Sequence, residues 1–477
     1  MDKNTTANNI PLVVDLDGTL LRTDILYEGA LLLLKRNPFY FFSILLWAFK
    51  GKLFLKQQIA ANITLKYDLL PANKELLNFL QTEKRNGRRL VLATASLATH
   101  ANAIAKVYPI FEKVIGSETV NVKGKEKLQL LLENYRAEGF DYIGDAAADL
   151  VIFQSCRFAY LVNPSKKLEA TTRRIANLQH VWRQDKPSIK DFMQSIRAYQ
   201  WIKNVLIFVP LITSHSLHSF NLIVSAIEGF FAFSLAASAG YLINDLLDLE
   251  ADRRHPRKKM RPFASGNLPI PFGIAVSILL LISAAAIGMF LPPLFLLVLL
   301  LYFCTSFAYS FYFKKIVLYD VFILALLYSS RIIAGGVVTG IAISFWLIAF
   351  STFIFLSLAF VKRYSELMKT SAADGLQERG REYAKEDLAL LQMMGIVSGF
   401  CAVVVFSLYI DSPEVVKLYS HPKTLWAISL LFLFWISRIW VITNRGQMTD
   451  DPIVFTIKDR SSYFVFLTTG FILWMAT

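Results

Sequence analysis

The sequence predicts a two-part protein: a soluble segment of mixed secondary structure followed by an all-α, polytopic membrane domain. Three observations predict it. A hydrophobic content of 55% over 477 residues is too high for a soluble protein. The apolar excess lies almost wholly after residue 199, in runs near the ~20 residues that cross a bilayer. The earlier part instead alternates short apolar strings with charged stretches. Residues 1–180 are therefore assigned to the soluble domain, 181–196 to a linker and 197–477 to the membrane domain.

Residues 11–20 read Pro-Leu-Val-Val-Asp-Leu-Asp-Gly-Thr-Leu, a short apolar strand ending in Asp15 and Asp17. The two carboxylates face the same way only while the chain stays extended, and Gly18 then permits a turn. Arg89-Leu90-Val91-Leu92-Ala93-Thr94-Ala95-Ser96 is a buried-type strand ending in hydroxyl residues, and Gly124-Lys125-Glu126-Lys127-Leu128 opens an amphipathic helix. Phe140 to Gly144 is another strand, leading into Asp145-Ala146-Ala147-Ala148-Asp149. These four motifs, in this order, resemble those of the haloacid dehalogenase-type (HAD) phosphatases over roughly residues 10–165. The resemblance implies an α/β, Rossmann-like parallel sheet with the aspartates at the carboxyl ends of its strands. It implies Asp15 as the nucleophile, Asp17 as general acid/base and Thr94 as a phosphoryl ligand. Lys127 would neutralise the phosphate, with Lys123 the alternate and Lys125 between them, and Asp15, Asp145 and Asp149 would hold Mg²⁺.

Between the first two motifs, Ala30 to Lys56 contains Leu31-Leu32-Leu33-Leu34, Phe39-Tyr40-Phe41-Phe42 and Ile44-Leu45-Leu46-Trp47. Lys35, Arg36, Asn37 and Pro38 interrupt it, and both flanks return to the same soluble domain, so a spanning helix is not expected. A small helical cap is the plain reading. The sharper one is a cap whose apolar face touches the bilayer or the membrane domain.

The membrane half reads as about nine spans, near 199–215, 222–244, 270–290, 293–313, 318–338, 343–361, 391–410, 423–443 and 461–476. With a cytoplasmic N-terminus, the even spans return to loops carrying Arg253 to Arg261, Lys314-Lys315, Lys362-Arg363 with Arg379 and Arg381, and Arg445 with Lys458 and Arg460. The opposite loops lack Lys and Arg except around Lys417 and Lys423. This asymmetry sets the orientation and absorbs most of the net charge of +14, which leaves no call for nucleic acid. Cys156, Cys304 and Cys401 lack metal-ligand spacing and read as packing residues.

Asn244-Asp245-Leu246-Leu247-Asp248-Leu249-Glu250-Ala251-Asp252 ends the second span. On a continuous helix Asp245, Asp248 and Asp252 share one face, and oxygen ligands at a membrane boundary suit Mg²⁺ bound together with a diphosphate. Tyr309 to Lys315, Lys362 to Glu366 and Asp450-Asp451 are expected on the same side of the membrane. This pattern resembles the UbiA-type intramembrane prenyltransferases, whose first aspartate-rich motif is matched by Asn244 to Asp252. It is most similar to the decaprenyl-phosphate phosphoribosyltransferase branch, through Arg197 to Asn204, Asn244 to Pro262, Tyr309 to Lys314, Arg331 to Gly336 and Lys362 to Glu366. The place of the second aspartate-rich motif reads Lys362-Arg363-Tyr364-Ser365-Glu366-Leu367, with one carboxylate, which suits an added phosphate better than a second metal–diphosphate clamp.

The resemblance implies a nine-helix bundle that transfers 5-phosphoribose from phosphoribosyl diphosphate to a polyprenyl phosphate, with Mg²⁺ in both domains. Asn244, Asp245, Asp248 and Asp252 would bind metal and diphosphate, Lys203, Arg261, Lys314, Lys362 and Arg363 would supply positive charge, and Tyr309 and Glu366 would hold ribose hydroxyls or metal-bound water. The soluble domain would then remove the 5-phosphate from the lipid product, giving a pentose donor for envelope polysaccharide. The rivals are aromatic prenyl transfer with an independent phosphatase, and a lipid-binding or transport protein with a regulatory phosphatase domain. The expected location is a bacterial inner membrane with both active sites cytoplasmic. The sequence leaves homo-oligomerisation open.

Overall fold

The computed structural model describes residues 10–184, 187–369, 382–449 and 451–477; Arg379, Arg381 and Asp450, and the side chain of Lys417, lie outside the described residues. The chain forms two compact units, Met1–Ile196 with Leu242–Val276, and Arg197–Tyr241 with Ser277–Thr477.

The first unit is built on six parallel strands, β1 (Leu12–Val14), β2 (Leu90–Leu97), β3 (Lys113–Ser117), β4 (Asp141–Gly144), β5 (Ala159–Val162) and β6 (Leu178–Trp182), in the order β3-β2-β1-β4-β5-β6. β1 is fully buried, as its unbroken Leu-Val-Val requires of a strand covered on both faces. The order reverses beside β1, so the carboxyl ends of β1, β2 and β4 open on one crevice. This is the expected α/β Rossmann-like parallel sheet, and it fits a HAD-type domain.

Three helices follow β1: α1 (Ile25–Arg36), α2 (Tyr40–Phe49) and α3 (Lys52–Asn62). Asp24 caps α1 by accepting from Leu26 N–H at 2.8 Å, Glu28 suits its first turn, and Lys35 and Arg36 suit its last. Gly51, at φ +106°, makes the corner between α2 and α3. The expected helical cap is thus present. α1 and α3 each bury a face; α2 buries no residue.

Among the described residues, seven helices are long and apolar enough to cross a membrane, where the sequence suggested about nine. They are α4 (Phe220–Leu247), α6 (Ile270–Gly288), α7 (Pro293–Phe311), α8 (Tyr319–Thr339), α9 (Phe345–Met368), α10 (Leu388–Ile410) and α11 (Trp426–Asn444); a short α5 (Leu249–Arg254) lies between α4 and α6. The two differences fall at the ends. The expected first span is a 3₁₀ run, Ala198–Phe208, followed by a short helix, Val209–Thr213, because Pro210 starts a helix and cannot donate within a longer one. The expected last span, Arg460–Ala476, is helical over 17 residues, about 26 Å at the usual rise. Within the second unit, α8 is the most enclosed, and Gly335 meets the Ile207 carbonyl so closely that a Cβ there would lie 2.1 Å from it.

Candidate functional site

In the first unit, β1 stops at Val14 and presents Asp15 at its carboxyl end, where the Asp15 N–H still donates to the Ile143 carbonyl at 3.0 Å. The chain then leaves the sheet. Gly18 takes φ +78°, and a Cβ on it would sit 2.3 Å from Asp145 Oδ2, so the turn needs glycine for both conformation and space. The Thr19 hydroxyl donates to Asp145 Oδ1 at 3.2 Å. Asp15, Asp145 and Asp149 each bring a carboxylate oxygen within 4.8 Å of the others.

Lys127, buried at the start of its helix, donates to Asp15 Oδ1 at 2.8 Å and to the Tyr142 hydroxyl at 3.0 Å. Tyr142 donates in turn to Asp149 Oδ1 at 3.1 Å, and the Ala146 N–H to Asp149 Oδ2 at 3.2 Å. Lys123 and Lys125 are exposed, so of the three lysines Lys127 is the one gathered into this cluster. Asp17 lies past the end of the strand, where it accepts from the Ile25 N–H at 2.9 Å, the Ser96 hydroxyl at 2.6 Å and the Thr94 hydroxyl at 3.4 Å.

Electrostatics follow from packing several acids in one dry crevice. Burial, then the charges of Asp15 and Asp149, push Asp145 up to about 8 against the opposing pull of Thr19 and Lys127. Burial, with Asp24 and Asp15, raises Asp17 to about 7 although Ser96 and the Ile25 N–H favour its anion. Burial raises Asp149 too, with Lys127 opposing. Burial works against the charged form of Lys127, yet Asp15 and Asp149 outweigh it and hold the ammonium above its ordinary value. Three carboxylates against one ammonium, all offering hard oxygen donors, fit a divalent cation such as Mg²⁺.

The second acidic cluster also belongs to the first unit. The helix does not run straight through it: α4 ends at Leu247, Asp248 stands between, and α5 begins at Leu249. Asp245 Oδ1 and Asp252 Oδ2 converge on one atom, Arg261 Nη1, at 2.9 and 2.7 Å. Arg261 thus bridges two carboxylates, and the three aspartates of this motif do not converge as Asp15, Asp145 and Asp149 do. Asp248 turns elsewhere and accepts from Lys35 of the cap at 2.8 Å. Asn244 is half-buried, its carbonyl accepting from the Asp248 N–H at 2.9 Å. Burial raises the Asp252 carboxyl, opposed by Arg261.

In the second unit, Lys203 is buried and ion-paired with Asp451. Lys362 lies within electrostatic reach of Asp451, Tyr309 and Glu366, which gathers four of the expected residues with Asp451 into one neighbourhood. Arg363 is enclosed by Glu366 at 2.6 Å and by Asp320, which also accepts from Tyr383 at 2.6 Å. Its guanidinium therefore braces α9 against α8. Lys314 sits in the turn Phe313–Lys315 after α7.

Several further residues act as partners of the expected ones. Tyr142, inside a strand, bridges Lys127 and Asp149, and Ser96, near the end of another, holds Asp17. Arg331 fans out to Asn204 Oδ1 at 2.8 Å, the Tyr302 hydroxyl at 3.1 Å and the Leu327 carbonyl. An arginine inside an apolar run was the signal available for it.

The family model for the UbiA prenyltransferase family matches residues 205–456. "Uncharacterized protein y4nM" of Sinorhizobium fredii is 34% identical over 468 residues, 98% of this chain and 90% of its own length, so the likeness runs through both parts of this chain. "Nodulation protein NoeC" of Azorhizobium caulinodans is 29% identical over 57% of this chain and 88% of its own. "Decaprenyl-phosphate phosphoribosyltransferase" of Mycobacterium tuberculosis is 36% identical over 293 residues, 60% of this chain and 92% of its own.

Proposed function

The chain belongs to the UbiA prenyltransferase family, and from that premise we propose that its membrane domain, residues 197–477, transfers 5-phosphoribose from phosphoribosyl diphosphate to a polyprenyl phosphate. We propose equally that the soluble domain, residues 1–180, is a phosphatase that removes the 5-phosphate from the lipid product. The observation that carries the first half is the 36% identity to the mycobacterial phosphoribosyltransferase over 92% of that protein's length. The second half rests on the cluster of Asp15, Lys127, Asp145 and Asp149.

In the transfer step, the bond between ribose C1 and the diphosphate oxygen breaks while a lipid phosphate oxygen bonds to C1. The acceptor is an anion at neutral pH, so no general base is required. Asp245 and Asp252, with Asp248, would hold Mg²⁺, whose charge offsets that of the leaving diphosphate. Asn244 and Arg261 belong to the diphosphate end of the substrate in this reading. Lys203, Lys314 and Lys362 hold the remaining phosphates, Tyr309 and Glu366 the ribose hydroxyls, and Arg363 keeps Glu366 and α9 in place.

In the hydrolytic step, Asp15 attacks phosphorus, the ester oxygen leaves with the proton of Asp17, and Asp17 then takes a proton from the water that splits the aspartyl phosphate. A carboxyl raised to about 7 suits both duties. Thr94, Ser96 and Lys127 line the phosphoryl position, and Asp15, Asp145 and Asp149 would hold the Mg²⁺ that screens the approaching phosphate. The product, a polyprenyl-phosphoryl pentose, is a donor for envelope polysaccharide such as an arabinan, made at the cytoplasmic face of a bacterial inner membrane.

The test is incubation of the purified full chain with labelled phosphoribosyl diphosphate, polyprenyl phosphate and Mg²⁺. Label entering the lipid fraction is the expected result. Label staying in water, with a prenyl diphosphate consumed on an aromatic acceptor instead, overturns the transfer reading.

A further inference from the structure

The cap contains a helix with nothing beneath it. None of the ten residues of α2 is buried, and Phe39, Phe42, Leu46 and Phe49 are 76%, 63%, 64% and 89% exposed. An apolar helix without a buried face is not a soluble element. At about 15 Å it is also too short to cross a ~30 Å hydrocarbon core.

Two further observations identify what covers it. From Gly29 to Tyr67 the chain carries six Lys or Arg residues and no Asp or Glu, and exposed Arg36, Lys50 and Lys52 flank α2 at both ends. Positive charge around an apolar helix complements an anionic lipid surface. Second, the preceding helix is fastened at a membrane boundary. Lys35, five residues before Tyr40, pairs with Asp248 at 2.8 Å, and Asp248 is the first residue after the membrane-crossing α4. Glu28 is held by Arg253 at 2.6 Å, and Leu31 and Leu32 share a cleft with Leu246, Leu247 and Leu249.

We propose that α2 is an in-plane membrane anchor, lying with its Phe and Leu side chains in the acyl region of an anionic phospholipid leaflet and its basic flanks among the headgroups. α1 and α3 then rise from the surface toward the catalytic crevice. Ile25 and Leu26 of α1, Lys56 and Ile59 of α3, Ile63 and His100 line a small cavity that reaches Ser96, the residue that holds Asp17. Apolar side chains beside the Lys56 ammonium suit a phosphate carried on a lipid. The anchor itself does not depend on what either active site does.

The experiment uses the full chain with Cys156→Ser, Cys304→Ser and Cys401→Ser, reconstituted in vesicles of equal parts phosphatidylethanolamine and phosphatidylglycerol. Leu46→Cys, or Gln129→Cys on the exposed face of a soluble-domain helix, carries an environment-sensitive fluorophore. Both positions are exposed, so neither substitution disturbs a core. Position 46 should lose most of its fluorescence to a doxyl-labelled lipid and resist aqueous iodide, and position 129 should do the reverse. Quenching of position 46 by iodide as at 129, or shielding from both quenchers as a protein partner would give, overturns the anchor.

Discussion

Asp145 illustrates how one residue's surroundings fix its chemistry. Its carboxylate fits only because Gly18 lacks a Cβ, and its neighbours raise its pKa to about 8 in the absence of a cation. Gly18→Ala should therefore cost about 100-fold or more in Mg²⁺-dependent phosphatase activity, since a 1 Å displacement of a positioned group costs that much, while lipid-linked transfer continues. Equal phosphatase rates would show that Asp145 does not act there. The pH dependence has a defined sign. A carboxyl raised from 3.8 to about 8 holds its proton more tightly folded than unfolded, so its contribution to metal-free stability is full below about pH 4 and lost as pH rises through about 8. A cation must displace that proton, so Mg²⁺ affinity measured by calorimetry should strengthen from about pH 6 to about pH 9. Affinity that is flat across this range would contradict the clustered site. Asp15, Asp17, Asp145 and Asp149 were legible because short motifs carry them; Tyr142 was not, because a strand tyrosine becomes a bridge only once Lys127 and Asp149 are brought to it.

At the level of elements, the long apolar helices and the last one, Arg460–Ala476, were legible from hydropathy, and the first was not. Pro210 breaks the first into a 3₁₀ run and a short helix, a distinction that a count of apolar residues does not make. The acidic motif was legible as a cluster. Its division was hidden, because the break at Asp248 and the pull of Lys35 come from a helix more than two hundred residues earlier in the chain. That contact makes a prediction for the element. Lys35 competes with any cation for Asp248, and a partly exposed ion pair is worth up to about 1 kcal/mol, or roughly fivefold. Lys35→Ala should accordingly lower the Mg²⁺ concentration for half-maximal transfer by up to about fivefold. An unchanged requirement would mean that Asp248 takes no part in holding the metal.

The whole molecule joins an α/β domain with an acidic crevice and a UbiA-family membrane domain in one chain, and its likeness to the protein from Sinorhizobium runs along 98% of its length. Two domains and the class of each were readable from motif order and from the apolar runs. The inclusion of Leu242–Val276 in the first compact unit was not, since it depends on pairs such as Glu28 with Arg253 that no local pattern announces. The central claim is that the two chemistries are successive on one lipid. Mass analysis of the lipid product of purified Asp15→Asn tests it most directly, because the amide keeps the size of the side chain and loses the anionic nucleophile. The account predicts that the wild type yields polyprenyl-phosphoryl pentose and that Asp15→Asn accumulates the same lipid one phosphate heavier. An Asp15→Asn enzyme that still releases the dephosphorylated lipid would contradict it.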